Sequence, residues 1–293
     1  MEAKAAGKPM RPLDHRRRSR LFGYNWPIFC ILAIGSLMML FPFVWMILSA
    51  FKTRADVYAY PPRWLPSEWS WDNFRQVFEM IPFLRYYANS IITSVAQTAL
   101  QIVLSVTAAY AVTKLHFPGR KLFVTFMQSS MFVPSVVTMV PLYLVVASMR
   151  MIDTYAGIIL PQIATAFTTM LLMSFIASIP QDLIDSARLD GCGHLRVMTK
   201  VVIPNIKGAI STATLFAFLG NWKSYTWPLI VTKSPTNRTL TVGLAIFAKS
   251  KEADMQWANV CAATLIIIAP LLLAFFIMQK QFMNSFVSAG VKE

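Results

Sequence analysis

The chain has 293 residues and a formal net charge of +14, yet only 14% of its residues are charged and 56% are hydrophobic. A soluble globular domain carries about 25% charged residues, so this composition excludes an ordinary soluble protein. The hydrophobic residues fall into blocks of roughly 20, the length that crosses a bilayer as a helix. The basic residues lie mostly at the ends of these blocks, where they indicate membrane orientation rather than nucleic-acid binding.

The blocks predict an all-α integral membrane protein with six transmembrane helices. They cover approximately residues 26–50, 89–112, 122–147, 157–177, 209–231 and 257–279. Pro134 and Pro141 predict a bend in the third helix, because each proline removes a backbone donor. Pro228 and Pro270 are expected to bend the fifth and sixth helices in the same way.

The basic N-terminal segment, residues 1–25, decides the predicted orientation. Its seven Lys and Arg residues directly precede the first block. That block is too long for the hydrophobic part of a signal peptide and is expected to remain as a helix. Positive charge stays in the cytoplasm, and six crossings return the chain to the side where it began. Both termini are therefore predicted to be cytoplasmic, with a membrane domain over residues 26–281 and a tail over 282–293.

The outer loop, residues 51–88, is rich in aromatic residues and proline. Those residues are Tyr58, Tyr60, Pro61, Pro62, Trp64, Pro66, Trp69 and Trp71. Two interpretations are open: an aromatic belt at the membrane surface, or a docking surface for an external partner.

The longest cytoplasmic loop, residues 179–208, has the pattern of two short helices joined by a glycine turn. Pro180 suits a first helical turn, and the acidic residues after it favour a helix N-terminus. An apolar stripe is expected from Leu183, Ala187 and Leu189. Gly191 and Gly193 permit a turn, and a second helix leads back to the membrane at Pro204. Such a loop either inserts a helix into a groove on a soluble partner or is an ordinary surface connection.

The same loop carries a recognisable motif. Residues 185–192 read Asp-Ser-Ala-Arg-Leu-Asp-Gly-Cys, and Ile203 and Pro204 follow at a fixed distance. This resembles the signature Glu-Ala-Ala-x-x-Asp-Gly-Ala, ending in Leu-Pro, of maltose-type carbohydrate importer permeases, which belong to the ATP-binding-cassette (ABC) transporters. The departures are Asp185 for Glu, Ser186 and Cys192 for Ala, and Met198 for the usual Phe.

The resemblance extends over nearly the whole chain after the first helix. The matching segments are Asn89-Ser90, Ala109-Tyr110-Ala111, residues 117–121, Val133-Pro134, residues 141–143, residues 153–155, Trp227-Pro228-Leu229, residues 239–244 and the tail to Lys292. It implies a six-helix permease of the bacterial inner membrane that binds no cofactor itself. The implied partners are a second permease in a heterodimer, two ATP-binding subunits that use ATP and Mg, an external solute-binding protein, an oligosaccharide and membrane lipid.

The resemblance also implies roles for two cytoplasmic segments. The coupling residues that would contact the ATPase are Asp185, Ser186, Ala187, Asp190 and Gly191. The tail resembles an extension that reaches between the ATPase subunits, and its residues in that role are Ser288, Gly290 and Lys292. The chain has no Gly-x-x-x-x-Gly-Lys-Ser/Thr segment, so the sequence predicts a non-catalytic subunit.

A polar and aromatic segment in the fifth block predicts the substrate pathway. It contains Asn221, Trp222, Lys223, Tyr225 and Trp227, of which Lys223 and Trp227 are expected to share one helical face. The family usually has Asn at the position of Lys223, and a cation there suits an anionic substrate such as a uronate-containing oligosaccharide. The alternative is that Lys223 snorkels outward or pairs with an acid on the second permease.

A second function class is an ion-coupled secondary transporter. It would normally place carboxylates inside the crossings, whereas all 13 Asp and Glu residues lie in predicted loops, tails or helix ends. The three cysteines and three histidines are scattered and predict neither a metal site nor a catalytic group. Polar residues of the third and fourth blocks are expected mainly to hold helices together.

Overall fold

A computed structural model describes residues 26–249 and 257–290, and every regular element in these ranges is helical. The helices are α1 (Trp26–Ala50), α2 (Arg54–Val57), α3 (Asp72–Met80), α4 (Phe83–Lys114), α5 (Arg120–Ser130), α6 (Ser135–Ser148), α7 (Tyr155–Ile159, extended by the 3-10 turn Leu160–Gln162), α8 (Ala166–Ala177), α9 (Gln181–Leu189), α10 (His194–Asn205), α11 (Lys207–Trp222), α12 (Thr226–Val231), α13 (Leu240–Lys249) and α14 (Trp257–Gly290). A further 3-10 turn covers Pro235–Asn237, and Met198–Val202 within α10 is π-helical.

Three of the described helices are long and apolar enough to cross a membrane without a break: α1, α4 and the Trp257–Ile277 part of α14. Three further pairs pass the same test only when joined across a bend. The pairs are α5 with α6, at 109°, α7 and its 3-10 turn with α8, at 45°, and α10 with α11, at 84°. The described chain thus offers up to six spans, as the hydrophobic blocks predict.

The predicted third and fifth helices are both broken. The 109° break at Pro134 confirms the predicted bend of the third helix, whereas the fifth helix breaks after Trp222 and not at Pro228, where its bend was expected. The third block stops at Ser130, and the chain resumes as a helix only after Pro134, which lies in an extended conformation before α6. Pro141 lies inside α6 without ending it. The fifth block ends at Trp222, six residues before the proline that was expected to bend it, and α12 follows as a separate short helix.

Helix α4 lies at the centre of the bundle. It packs along α8 and α11, while α11 also packs against α14, and α14 contacts α1 and α3. One apolar cluster, next to the 179–208 loop, includes Val106, Tyr110, Ile176, Ile184 and Val197. A second cluster at the other end of the bundle joins α4 to the outer loop and α14; it includes Val77, Phe83, Trp222, Leu240 and Ala262.

The α5–α6 arm, residues 120–148, projects from this bundle. Helix α5 has no buried residue and α6 has one, Val146. The arm exposes large apolar side chains, including Phe126, Phe132, Val136 and Val140. Lipid or another membrane protein must cover such a surface.

Candidate functional site

A continuous polar face runs along α4. Ser90, Ser94, Gln97, Gln101 and Ser105 follow at steps of four, three, four and four residues, which places them on one side of the helix, and all are buried. A buried polar group in a membrane-spanning helix is costly unless another group pairs with it. The buried polar residues of α4 therefore require hydrogen-bonding side chains on the neighbouring helices α8 and α11.

Asn221 on α11 is the centre of the resulting network. Its Oδ1 accepts a hydrogen bond from Gln97 Nε2 at 2.9 Å. Its Nδ2 donates to Thr98 Oγ1 at 3.0 Å and to Gln101 Oε1 at 3.3 Å. Both N–H donors of Asn221 are thus engaged within the protein, and its Oδ1 keeps one further acceptor position.

Gln101 extends the network to α8, the third helix that takes part in it. Its Nε2 donates to Thr165 Oγ1 at 2.7 Å and to Thr168 Oγ1 at 2.9 Å, and one turn along α4 the Thr169 hydroxyl lies 3.2 Å from Ser105 Oγ. The network therefore ties α4, α8 and α11 together, and it confirms that Thr165, Thr168 and Thr169 hold helices together.

A small polar cavity adjoins this network. Its lining includes Ser94, Gln97, Gln162 and Asn221, together with the aromatic side chains of Trp222 and Trp227. The free space of about 10 Å³ holds about one water molecule and no sugar ring. In this conformation the cavity is therefore closed to substrate.

The five predicted pathway residues fall into two groups. Asn221, Trp222 and Trp227 line the cavity, whereas Lys223 is exposed and Tyr225 is half-buried, and neither contributes to its wall. The expectation that Lys223 and Trp227 share one helical face is wrong, because α11 ends at Trp222 and α12 starts at Thr226.

Both tryptophans of this segment are anchored within the chain. Trp222 Nε1 donates to the Ile267 carbonyl at 3.1 Å, and Trp227 Nε1 donates to the Gly157 carbonyl at 3.0 Å. Their indoles are buried, and they fix the two sides of the α11–α12 break. The break itself then presents Lys223 to the surroundings of the bundle.

Near its N-terminal end α4 holds the segment between α12 and α13. Asn89 Nδ2 donates to the carbonyls of Thr236 and Arg238 at 2.9 and 2.8 Å, and its Oδ1 accepts from the Tyr155 hydroxyl at 2.7 Å. Ser90 Oγ accepts from the backbone N–H of Leu240 at 2.7 Å. One helical turn thus fixes the position of α13 relative to the cavity.

In the 179–208 loop, α9 has the predicted position but a different buried face. Ile184 is its one buried residue, whereas Leu183 is 46% and Leu189 90% exposed. Leu183 and Leu189 of the predicted stripe therefore point away from the rest of the chain, whereas Ala187 packs against the cluster that contains Ile184. Of the coupling residues, Ala187 is half-buried, and the remaining four are exposed: Asp185, Ser186, Asp190 and Gly191.

The glycine turn after α9 uses only one of its two glycines for conformation. Gly191 has φ +79°, a left-handed conformation that favours glycine, whereas Gly193 has φ −68°. The N–H of Gly191 bonds to the Arg188 carbonyl and the N–H of Cys192 to the Ala187 carbonyl, both at 3.0 Å. This is a Schellman motif, which ends the helix and reverses the chain.

A family comparison agrees with this arrangement of a polar core between long apolar helices and an exposed helix in the 179–208 loop. The family described as the inner membrane component of binding-protein-dependent transport systems matches residues 101–286. The chain belongs to this family. It is therefore an inner-membrane permease component of an ABC importer, and it is a non-catalytic one.

Curated relatives of the permease carry related descriptions. A diacetylchitobiose uptake permease of Streptomyces coelicolor is 29% identical, over 89% of this chain and 86% of the relative. An sn-glycerol-3-phosphate permease of Yersinia enterocolitica is 29% identical, over 89% and 96%. A sulfoquinovosyl glycerol permease of Agrobacterium fabrum is 30% identical, over 86% and 89%.

Solved structures share the permease fold. A chain of a bacterial ABC transporter involved in importing the acidic polysaccharide alginate superimposes with a TM-score of 0.80 at 24% identity, covering 94% of this permease and all of that chain. A second chain comes from the alginate transporter in complex with its pentasaccharide-bound periplasmic protein; its TM-score is 0.60 at 15% identity, covering 90% and 96%.

The outer loop of the permease is organised around one buried carboxylate. Asp56 Oδ2 accepts hydrogen bonds from the Ser67 backbone N–H at 2.9 Å and from its hydroxyl at 2.7 Å, while Arg63 reaches Asp56 Oδ1 at 3.0 Å. The Ser67 bonds, helped by those of Thr53 and Arg63, lower the pKa of Asp56 to about 2. The cluster folds the loop back onto the end of α1.

Lys52 packs beneath this loop. Its Nζ lies 4.0 Å from the centre of the Trp45 ring and donates to the Arg63 carbonyl at 2.6 Å. Burial lowers the pKa of Lys52 below its ordinary value. The aromatic residues Trp64, Trp69 and Trp71 remain largely exposed above it, so both interpretations of the outer loop, belt and docking surface, stay predictions.

The tail prediction is only partly covered by the described residues. Ser288 and Gly290 fall in the last turns of α14, which is longer than the predicted sixth block, and Lys292 lies outside the described residues. Cys30, Cys192 and Cys261 are free thiols, and the described residues contain no group of three or more potential metal ligands.

Sequence reasoning missed three residues of the site: Asn89, Gln97 and Gln101. Their helical spacing on α4 was visible in the sequence, since polar residues recur there at three- and four-residue steps in a block that was read only for its hydrophobicity. Lys114, at the other end of the same helix, is one of the basic residues that end the hydrophobic blocks, and the sequence predicts no further role for it.

Proposed function

We propose that this permease pairs with a second permease subunit and with two cytoplasmic ATP-binding subunits to import an oligosaccharide delivered by an external solute-binding protein. The observation that carries the proposal is the cytoplasmic helix α9, which exposes Leu183 and Leu189 next to the motif residues 185–191. Two large apolar side chains left uncovered on a short helix suit a groove on a soluble partner.

The α5–α6 arm supports the second membrane subunit. At its 109° break, the chain leaves helical geometry between Ser130 and Ser135, and Gln128 and Ser129 are exposed there. Irregular backbone at membrane depth requires cover from protein or contact with a water-filled path, because lipid offers no hydrogen bonds. A second permease packed on the arm would supply that cover.

The proposed substrate class is an anionic sugar, and it is supported by the relatives and by Lys223. The relatives' descriptions cover chitobiose, glycerol phosphate, sulfoquinovosyl glycerol and alginate, and the last three are anionic. Lys223 is exposed beside the helix break and has no ion-pair partner among residues 26–249 and 257–290. An uncompensated cation at this position is suited to a carboxylate, phosphate or sulfonate group on the substrate.

The remaining pathway and coupling residues have complementary roles in the proposal. Tyr225 lies beside Lys223 at the break and offers a hydroxyl and a ring face to a sugar. Asn221, Trp222 and Trp227 shape the cavity that opens when the transporter changes conformation. The coupling residues 185–191 and the tail residues Ser288, Gly290 and Lys292 contact the ATPase subunits, and both termini are cytoplasmic.

The test is reconstitution. The permease, its cognate partner subunits and binding protein are placed in proteoliposomes, and uptake of an alginate trisaccharide, N,N′-diacetylchitobiose and maltotriose is measured with and without ATP. Uptake that requires both ATP and the binding protein is expected. Equal uptake by the permease alone, driven by a proton or sodium gradient, would instead establish a secondary transporter.

The anionic part of the proposal is tested with Lys223→Asn and the control Lys233→Asn, a lysine of the loop after α12. Lys223→Asn is expected to reduce alginate uptake about tenfold, the loss of one charged contact, and to leave uptake of the neutral sugars within a factor of two. An equal loss for charged and neutral sugars would remove Lys223 from charge recognition.

A further inference from the structure

The cytoplasmic end of α4 contacts the chain on both sides of α9. Lys114 is the last residue of α4 and is only 8% exposed, and its Nζ donates to the Ile179 carbonyl at 2.7 Å. Ile179 is two residues before the start of α9. The ammonium group therefore binds the point at which the chain enters the coupling helix.

Tyr110, one helical turn before Lys114, contacts the exit of the same helix. Its hydroxyl lies 3.4 Å from His194 Nδ1, and the two rings meet edge to face. His194 is the first residue of α10 and directly follows the glycine turn. Arg188, on α9, donates to the same His194 nitrogen at 3.2 Å.

An apolar contact lies between these two polar ones. Ile184, the one buried residue of α9, packs in the cluster that contains Tyr110, Ile176, Ile179 and Val197. The rest of α9 is exposed or half-buried. Two polar side chains of α4 therefore hold the chain on either side of the coupling helix, and Ile184 with Ala187 packs the helix itself against the body of the permease.

The chemistry of Lys114 makes its contact a demanding one. The last carbonyls of a helix have no intrahelical donor, and the helix C-terminus attracts cations. Ile179 closes the end of α8, and its carbonyl cannot pair with a following helix because α9 begins only at Gln181. A buried ammonium without this acceptor would be strongly destabilised, so the contact resists separation when α9 is displaced.

We infer that Lys114 and Tyr110 are positioning residues that clamp the coupling helix to α4, so that a displacement of α9 moves α4 as a unit. The same helix carries Gln97 and Gln101, which bind Asn221 beside the α11–α12 break. The clamp thus connects the cytoplasmic helix to the cavity through one continuous helix. The inference rests on the proposed function, because it names the residues through which a movement of the ATPase subunits is transmitted to the substrate cavity.

The test measures the position of α9 directly in the assembled transporter. Nitroxide labels are placed at Thr107→Cys, on the exposed side of α4, and at Asp182→Cys, an exposed position in the first turn of α9 outside the coupling residues, in a chain whose three native cysteines are replaced by alanine. Distances are measured by pulsed electron paramagnetic resonance without nucleotide and with ATP and vanadate. The variants are Lys114→Met, Tyr110→Phe and the conservative control Lys114→Arg.

In the wild-type chain we expect one narrow distribution of the label-to-label distance in each nucleotide state, because the clamp makes α9 and α4 move together. Lys114→Met and Tyr110→Phe are expected to broaden the distribution and to lower the number of substrate molecules moved per ATP about threefold, within the range measured for residues that carry coupling. Lys114→Arg, which keeps the cation and its donors, is expected to restore a narrow distribution. A structural role without coupling would leave the transport-to-ATP ratio unchanged.

Unchanged width and unchanged ratio in Lys114→Met would overturn the clamp. If that variant fails to assemble, Tyr110→Phe decides the matter, since it removes one hydroxyl and keeps the ring; wild-type behaviour in this variant would also overturn the clamp. A wild-type chain that binds no ATPase subunit fails the proposed function instead, and the clamp falls with it.

Discussion

Helices α1 and α4 are both long enough to cross a membrane, yet they are built for different surroundings. In α1 only Ser49 and Ala50 are buried, and nearly every other side chain faces outward. In α4 fifteen residues are buried, and the buried set includes a run of Ser, Thr, Asn and Gln. The more hydrophobic helix lies at the edge, and the more polar one lies at the centre.

The comparison shows where specificity resides in a membrane bundle. Apolar contacts do little to distinguish a neighbouring helix from lipid, because lipid tails are equally apolar. Polar groups in α4, by contrast, have partners at fixed positions on α8, α11 and the segment before α13. The hydrogen bonds of α4 therefore determine which helices pack together, whereas α1 contributes little to that choice.

The largest expected effect comes from removing the centre of the α4 network. Gln101→Leu removes the side-chain partner of the Thr165 and Thr168 hydroxyls and one of the three partners of Asn221, so we expect the free energy of unfolding to fall by roughly 2–4 kcal/mol. Ser36→Leu is the matched change on α1, where the hydroxyl bonds only to the Leu32 carbonyl of its own helix. It should change stability by less than about 0.5 kcal/mol.

Thermal unfolding of the purified permease in detergent measures both variants. The comparison between the helices breaks down if Gln101→Leu and Ser36→Leu shift the melting temperature equally.

Glycine positions provide a second test. A Cβ at Gly243 on α13 would lie well inside contact distance of the ring of Tyr86 on α4, and that ring is buried. Gly243→Ala should therefore destabilise the permease by about 1–3 kcal/mol through overpacking. Gly35 on α1 has no atom within 4 Å of such a Cβ, so Gly35→Ala should stabilise the helix by about 0.5–1 kcal/mol.

Opposite signs in a denaturation series would sharpen the contrast between the two helices. A loss of stability in Gly35→Ala as large as that in Gly243→Ala would show that α1 is closely packed as well.

Acid should loosen the attachment of α1 locally. The folded pKa of Asp56, about 2, lies below its ordinary value of 3.8, so the folded loop favours the carboxylate. Its stabilising contribution is complete above pH 3.8 and is lost as the pH falls through that value towards 2. Hydrogen exchange at the Ser67 amide, corrected for intrinsic pH dependence, should accelerate over this range while amides of α4 remain protected.

In Asp56→Asn the acceleration should already be present at pH 7 and should not depend on pH. A wild-type loop whose exchange is flat between pH 5 and pH 2 would show that Asp56 does not hold it.

The smallest expected effect is a gain in stability. Thr113, near the end of α4, has a buried hydroxyl without a hydrogen-bond partner in the described structure. Thr113→Val removes that unpaired group and should stabilise the permease by about 0.5–1 kcal/mol. Thr107→Val, on the exposed side of α4, removes a hydroxyl that bonds to the Val103 carbonyl and serves as the control.

A stabilisation in Thr107→Val equal to that in Thr113→Val would show that added hydrophobicity, rather than the unpaired hydroxyl, is responsible. Melting temperatures of the two variants, measured side by side, decide between these causes.

The sequence predicted the spans and the loop motif better than it predicted their internal breaks. Hydrophobic length located α1 at its observed bounds, and the motif at residues 185–191 located α9 and its turn. The end of α11 at Trp222 was not predictable from residue type, because Lys223 and Ser224 are compatible with a helix. Contacts of Trp222 and Trp227 with Ile267 and Gly157 decide it, and these partners are distant in sequence.

The sequence predicted the part of the polar site on α11 and α12 but not the part on α4. A hydrophobicity profile averages over all faces of a helix, so the buried polar side of α4 is diluted by Leu, Ile and Val on its other sides. Gln97 and Gln101 become visible only when the residues are read at helical spacing. Lys114 gives no such signal, because its role depends on a carbonyl 65 positions away.

The left-handed Gly191 limits how this permease can diverge. Exposed side chains of α9 contact little of their own chain. They can therefore change in evolution to suit a different partner protein. Position 191 has no such latitude: among coded residues, only asparagine and aspartate approach glycine in tolerating its backbone angles. In a saturation library, variants at 191 should be depleted, whereas those at 193, two residues further on, should persist.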